Sequence, residues 1–239
     1  MKTAIWFSLA LLGCKGGEKK QPEPPPAPPP TGSAAPAPDA AAAPAPEPKV
    51  PLPREPKFGC LGWSTRDRVA ACVVGENTAG EPPRYGLVFI GPGGAEPPIA
   101  LAVAADGSAF EQAAIDAANA ALAKRDIQPF NWPIEEAKAD TIVIGKGASI
   151  LWKKKQVSKG GDNRPPTIAH ELVAHCKSTK TPLYTSKEEG MNPKLFVSGV
   201  EGHSVIALHE EVAREGESGV TAHALVLDIE TCKLTRSGG

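Results

Sequence analysis

The chain has 239 residues, with 26 Lys and Arg against 27 Asp and Glu, for a formal net charge of −1. A charge so near zero excludes a protein-wide field of the kind that draws a protein to nucleic acid. The length allows one or two domains, and the 26 prolines are distributed unevenly enough to mark where a folded part begins.

Met1-Lys2 puts one positive charge ahead of AIWFSLALL, Ala4 to Leu12, which is apolar except for Ser8. A bilayer span needs about 20 apolar residues, so this run has the length of a signal-peptide core instead. It ends in Leu11-Leu12-Gly13-Cys14. This resembles the lipobox of bacterial lipoproteins: a branched apolar residue, a variable one, a small one and the cysteine. The resemblance implies that residues 1–13 are a signal peptide cut before Cys14. It also implies that lipid on the sulfur and new amino group of Cys14 holds the protein to a membrane. Several acyl chains on one residue anchor stably where a single chain does not. Lys15 stands where the enterobacterial sorting rule would need Asp for retention at the inner membrane. Its presence favours the outer membrane of a Gram-negative envelope.

From Lys15 to Lys57 there are 43 residues, 15 of the prolines and no aromatic residue. Proline lacks the amide donor and fixes φ, so runs such as Pro24-Pro25-Pro26-Ala27-Pro28-Pro29-Pro30 form neither helix nor ladder. The expectation for 14–57 is a disordered linker, with polyproline II reaching at most roughly 130 Å. A spacer that clears the lipid surface is the leading reading, and a ligand for a proline-binding module is the alternative. In composition the stretch resembles the linkers of predicted myxobacterial lipoproteins. Phe58, the first aromatic after it, is taken as the start of one globular domain, 58–239, large enough for a single core.

Setting Cys14 aside leaves Cys60, Cys72, Cys176 and Cys232. Export implies an oxidising compartment, and the even count suggests two disulfides with three possible connectivities. A turn centred on Arg66 would place Cys60 across from Cys72. The expected pairs are therefore Cys60–Cys72 and Cys176–Cys232.

Short strands are expected at 60–64, 69–75 and 85–91, where β-branched and aromatic residues sit between Gly and Pro. Trp63-Ser64 and the residues after it resemble the strand–turn of periplasmic propeller repeats, but the unit occurs once. One long helix is expected over Ala109–Arg125, opened by a Ser108/Glu111 capping box. Phe110, Ala114, Ile115, Ala118 and Leu122 would line its buried face. Further strands are expected at 141–145, 149–157, 167–176, 195–200, 204–212 and 220–229, with a turn at Glu215 to Gly219. The fold class is α+β: a mostly antiparallel sheet with one long helix packed on it.

His170-Glu171-Leu172-Val173-Ala174-His175 invites comparison with the zincin motif, which needs histidines four apart on one helix face. Here they are five apart, and in a strand an odd spacing sends them to opposite faces. In the last hairpin, a turn about Gly216 would set His209 opposite His223, with Glu211 one pair along. Two histidines and a carboxylate can bind a transition metal; the competing reading is a solvated cross-strand pair. Trp152 with Lys153, Lys154, Lys155 and nearby Lys159 could contact an anionic polymer, such as lipopolysaccharide or teichoic acid. The competing reading there is a charged edge strand that resists aggregation.

Gly202-His203-Ser204 lacks the second glycine of a nucleophile elbow. Gly91-Pro92-Gly93-Gly94 and Gly145-Lys146-Gly147 fail the spacing of dinucleotide and phosphate loops. No cofactor is expected. The leading functional expectation is a non-enzymatic envelope module that binds a protein or anionic polymer or acts structurally. The alternative is a metal-dependent hydrolase using His209, His223 and His170 or His175.

Overall fold

The computed structural model describes residues 46–130, 135–159, 167–186, 191–214 and 217–237. The lipobox, Cys14, the linker as far as residue 45, Pro165-Pro166 and the Glu215-Gly216 turn lie outside the described residues.

Strands β1 (Gly59–Ser64), β2 (Val69–Thr78) and β3 (Arg84–Gly91) come first, followed by the two-residue strands β4 (Gly94–Ala95) and β5 (Ile99–Ala100). Helix α1 (Gln112–Lys124) leads into β6 (Gln128–Pro129) and β7 (Glu135–Glu136). Then come β8 (Thr141–Gly145), β9 (Ala148–Gln156), β10 (Ile168–Cys176) and β11 (Thr179–Ser186). The chain closes with β12 (Met191–Val200), β13 (His203–Arg214), β14 (Glu217–Asp228) and β15 (Leu234–Arg236). Among the described residues these make two sheets. The four-stranded one runs β11-β10-β9-β8. The 11-stranded one runs β4-β3-β2-β14-β13-β12-β7, with β1, β5, β6 and β15 beside that path. The pairings are antiparallel throughout.

Strand alternation divides the apolar residues among three clusters. Ala71 and Val73 of β2 pack with Leu87 and Phe89 of β3 under Ala114, Ile115, Ala118 and Leu122 of the helix. The alternate β2 residues Ala70, Cys72 and Val74 pack with Trp63, Val205, Ala224 and Val226. On the other faces of β13 and β14, Ile206, Leu208, Leu225 and Leu227 meet Ile150, Trp152, Leu172 and Leu183 of the four-stranded sheet. Gly75 lies where β2 pairs with Tyr85 of β3 on one side and Ala222 of β14 on the other. Its φ is +137°, and a side chain there would overlap the Arg84 carbonyl, so only glycine fits.

The antiparallel α+β expectation holds, but the helix is short. It spans 13 residues and begins at Gln112 rather than Ala109. The capping box does not form: Glu111 is the N-cap and makes no side-chain cap bond, while Ser108 Oγ donates to Asp106 Oδ1 at 2.8 Å. Residues 109 and 110 are used elsewhere. The Ala109 carbonyl accepts from Ala104 N at 2.8 Å, and Phe110 N donates to the Arg54 carbonyl at 2.9 Å.

That last bond also ties the segment before Phe58 to the folded residues. Leu52 is 4% exposed, its N–H donates to Asn119 Oδ1 at 2.8 Å, and Lys49 pairs with Asp126 at 2.9 Å. Two apolar residues, Val50 and Leu52, anchor the end of the proline-rich stretch on the helix cluster. Strand β11 is not among the expected strands, and it contains Pro182. It is an edge strand, and its ladder is irregular where Pro182 pairs, which is where proline is tolerated.

Both expected disulfides are present, Cys60–Cys72 with Cα atoms 3.8 Å apart and Cys176–Cys232 at 5.5 Å. Cys60 and Cys72 are directly opposed in the β1–β2 ladder. The bridged cysteines are separated by 12 and 56 residues in sequence. On loop-closure entropy, replacing Cys176 and Cys232 together by Ala should lower unfolding free energy by about 4 kcal/mol, against about 3 for Cys60 and Cys72. Urea titration of the two double variants checks the order.

Candidate functional site

The β13–β14 ladder separates the histidines that were expected to pair. His209 lies opposite Ala222, and His223 lies opposite Leu208. The hairpin closes on Arg214 and Glu217, so its centre falls between residues 215 and 216 rather than on Gly216. That half-step changes the register by one residue and sends the two imidazoles to opposite faces. His223 Nε2 instead lies 3.3 Å from Glu210 Oε1, and Glu211 pairs with Lys194 at 2.6 Å. Among the described residues, no three His, Cys, Asp or Glu side chains are grouped to hold a metal ion.

His209 sits in an aromatic slot. Its ring centroid is 4.7 Å from that of Phe196 and 6.1 Å from that of Phe58. Its Nε2 is buried and has no hydrogen-bond partner among the described residues. Burial holds the imidazole down at about 4, from an ordinary 6.5. The Glu211 carboxylate pulls the other way, and Lys194 and Lys57 add to the depression.

His170 and His175 lie on a strand and on opposite faces, as their spacing requires. His170 is buried, and its Nδ1 accepts from Trp152 Nε1 at 3.1 Å. Burial and then the Lys154 charge lower its pKa. His175 is opposite Ser149 and Lys180.

The Trp152 and Lys153–Lys155 patch is also taken apart by strand parity. Trp152 is 7% exposed and belongs to the core between the sheets, so its ring is not free to stack on a polymer. Lys154 covers that ring, with Nζ 4.2 Å from the centroid, and lies 3.7 Å from Asp140. Lys153 points to the other face and pairs with Glu171 at 3.2 Å. Lys155 is exposed. The run therefore does not present one basic surface.

A hollow of about 740 Å³ was not foreseen. It lies where four hairpin turns converge: Lys146-Gly147 (β8–β9), Lys177-Ser178 (β10–β11), Glu201-Gly202 (β12–β13) and the turn after Asp228 (β14–β15). Lys177 N donates to the Gly147 carbonyl at 2.9 Å, tying the two turns of the four-stranded sheet together. Ile229 N donates to the Gly202 carbonyl at 3.0 Å, tying the two turns of the larger sheet. The Cys176–Cys232 bridge joins the two sheets near this end.

Ile144, Val200 and Ile229 supply the apolar lining of the groove. His203, 3% exposed, also lines it. Its Nδ1 lies 3.0 Å from the Glu201 carbonyl, which fixes it as the donor nitrogen, and its ring is 5.5 Å from Trp63. Asp228 Oδ1 accepts from Glu230 N and Thr231 N, each at 2.9 Å, shaping the β14–β15 turn. Those backbone donors, Thr231 first, hold the Asp228 carboxyl below its usual range.

No family model, no curated protein and no solved structure matches this chain.

The buried imidazoles give a pH dependence with a definite sign. The folded pKa of His209 lies below the unfolded value, so between about 4 and 6.5 the unfolded state binds more protons. Stability is therefore complete above pH 6.5 and falls as pH drops toward 4, with His170 acting in the same direction. The His209 share is roughly 2–3 kcal/mol once partial solvent contact is allowed for. Replacing His209 by Phe should retain stability at pH 7 and flatten much of this fall, read from urea midpoints across the range.

Proposed function

We propose that this protein is an exported lipoprotein, held at a bacterial envelope membrane by lipid on Cys14, whose folded domain acts by binding a partner. The observation that carries the reading is the cysteine pairing. Cys60–Cys72 and Cys176–Cys232 account for every cysteine except Cys14. Structural disulfides belong to oxidising compartments. The one cysteine left over is the one that ends the signal-like segment in a lipobox order, Leu11-Leu12-Gly13-Cys14. Two independent chemical signals therefore agree on export.

Binding rather than catalysis is favoured by how the titratable side chains are used. His170, His203, His209 and His223 each serve a local packing or hydrogen-bonding role. The turns at one end, by contrast, carry charged groups around an open groove. Loops held on a rigid sheet framework are the usual place for recognition. Lys15 following Cys14 favours delivery to the outer membrane.

The expected result of metabolic labelling with radioactive palmitate is incorporation into the wild-type chain and none into Cys14→Ser. Label that persists in the variant would overturn the lipid anchor.

A further inference from the structure

We propose that the four-turn groove binds an extended peptide carrying both a carboxylate and an ammonium side chain. The first argument is the arrangement of charge. Lys146 and Lys177 stand on the tied turns of the four-stranded sheet, and Glu201 and Glu230 on the tied turns of the larger sheet. All four are exposed, and none has an ion-pair partner among the described residues. One wall is thus basic, the other acidic, and apolar residues lie between them. A peptide with charges of both signs complements both walls, whereas an anionic or cationic chain is repelled by one of them.

The second argument is backbone strain. Two-residue hairpin turns that need positive φ ordinarily place Gly, Asn or Asp there. Lys177 has φ +54° and Glu201 has φ +27°. A long charged side chain at each position forfeits stability that glycine would retain. Such outliers, observed at two turns lining one hollow, point toward function.

The third argument is backbone availability. β8 is the edge of its sheet, and Val143 at its centre is 76% exposed. On the side of β12 away from β13, β7 pairs only Phe196 and Val197, so Gly199 and Val200 have no ladder partner there among the described residues. Unpaired strand edges offer main-chain donors and acceptors to an extended chain. The proposal rests on the binding-module reading above but not on the lipid anchor, so either can fail alone.

The test uses the full purified chain, with detergent present throughout, from whichever cell fraction holds it. The probes are fluorescent pentapeptides with blocked ends, in which Lys and Glu occupy every pair of positions among Val and Ala. Controls carry two Lys or two Glu instead. Anisotropy titration should show at least one mixed-charge peptide binding about tenfold more tightly than its two controls. A photoreactive Val in that peptide should crosslink to residues of the four turns. Lys177→Gly and Glu201→Gly should each abolish this preference with Tm unchanged or raised. Equal binding by all peptides, binding by none, or crosslinks elsewhere would overturn the proposal. So would glycine variants that lose Tm while keeping the preference.

Discussion

Sliding β14 by one residue along β13 would turn Leu225 and Leu227 out of the core that they and Ile206 and Leu208 share with the four-stranded sheet. The same slip would displace Ala224 and Val226 from the cluster they form with Val205, Trp63 and Cys72. Because both faces of this hairpin are buried, each face specifies the register, and the two specifications must agree. The near-continuous apolar runs Val205–Leu208 and Ala224–Leu227 are the outcome. All three clusters depend on this alignment, directly or through β2, which shares one cluster with the hairpin and another with the helix.

This dependence explains what could be read from residues alone. The strands of the hairpins were readable because short β-branched runs alternate with turn residues. The bridge at Cys60 followed from counting across one turn. The helix face Ala114, Ile115, Ala118 and Leu122 followed from its period. The proposed histidine pair failed by half a residue in the position of the turn centre, which loop composition does not determine. Trp152 and its lysines failed for a related reason: three consecutive charges on a strand cannot share a face. Long-range pairing was hidden. Nothing near Gly75 announces that it will lie beside Ala222.

The groove was missed because its parts are turns, each unremarkable alone. A signal was present nonetheless. A hairpin loop that ought to favour Gly or Asn but carries Lys or Glu is a local conflict between turn chemistry and residue choice. Such conflicts are the places where sequence reasoning is expected to fail for functional reasons. The disulfide at Cys176 and Cys232 and the paired carbonyl bonds beside it keep those turns in fixed relation, so the strained positions are held by their surroundings.

The pairing of Thr78 through Gly75 with Gly219 through Ala222 also has a consequence for how the molecule is made. The strand that joins the two parts of the large sheet, β14 (Glu217–Asp228), lies far along the chain from β2 (Val69–Thr78), and contacts of such long sequence separation slow folding. A chain emerging from its N-terminus exposes β1, β2 and β3 long before β14 arrives to cover them. In a chain that emerges from its N-terminus, the topology therefore delays completion of the large sheet until β14 is available. Until then the β1–β2 hairpin depends on its own Cys60–Cys72 bridge.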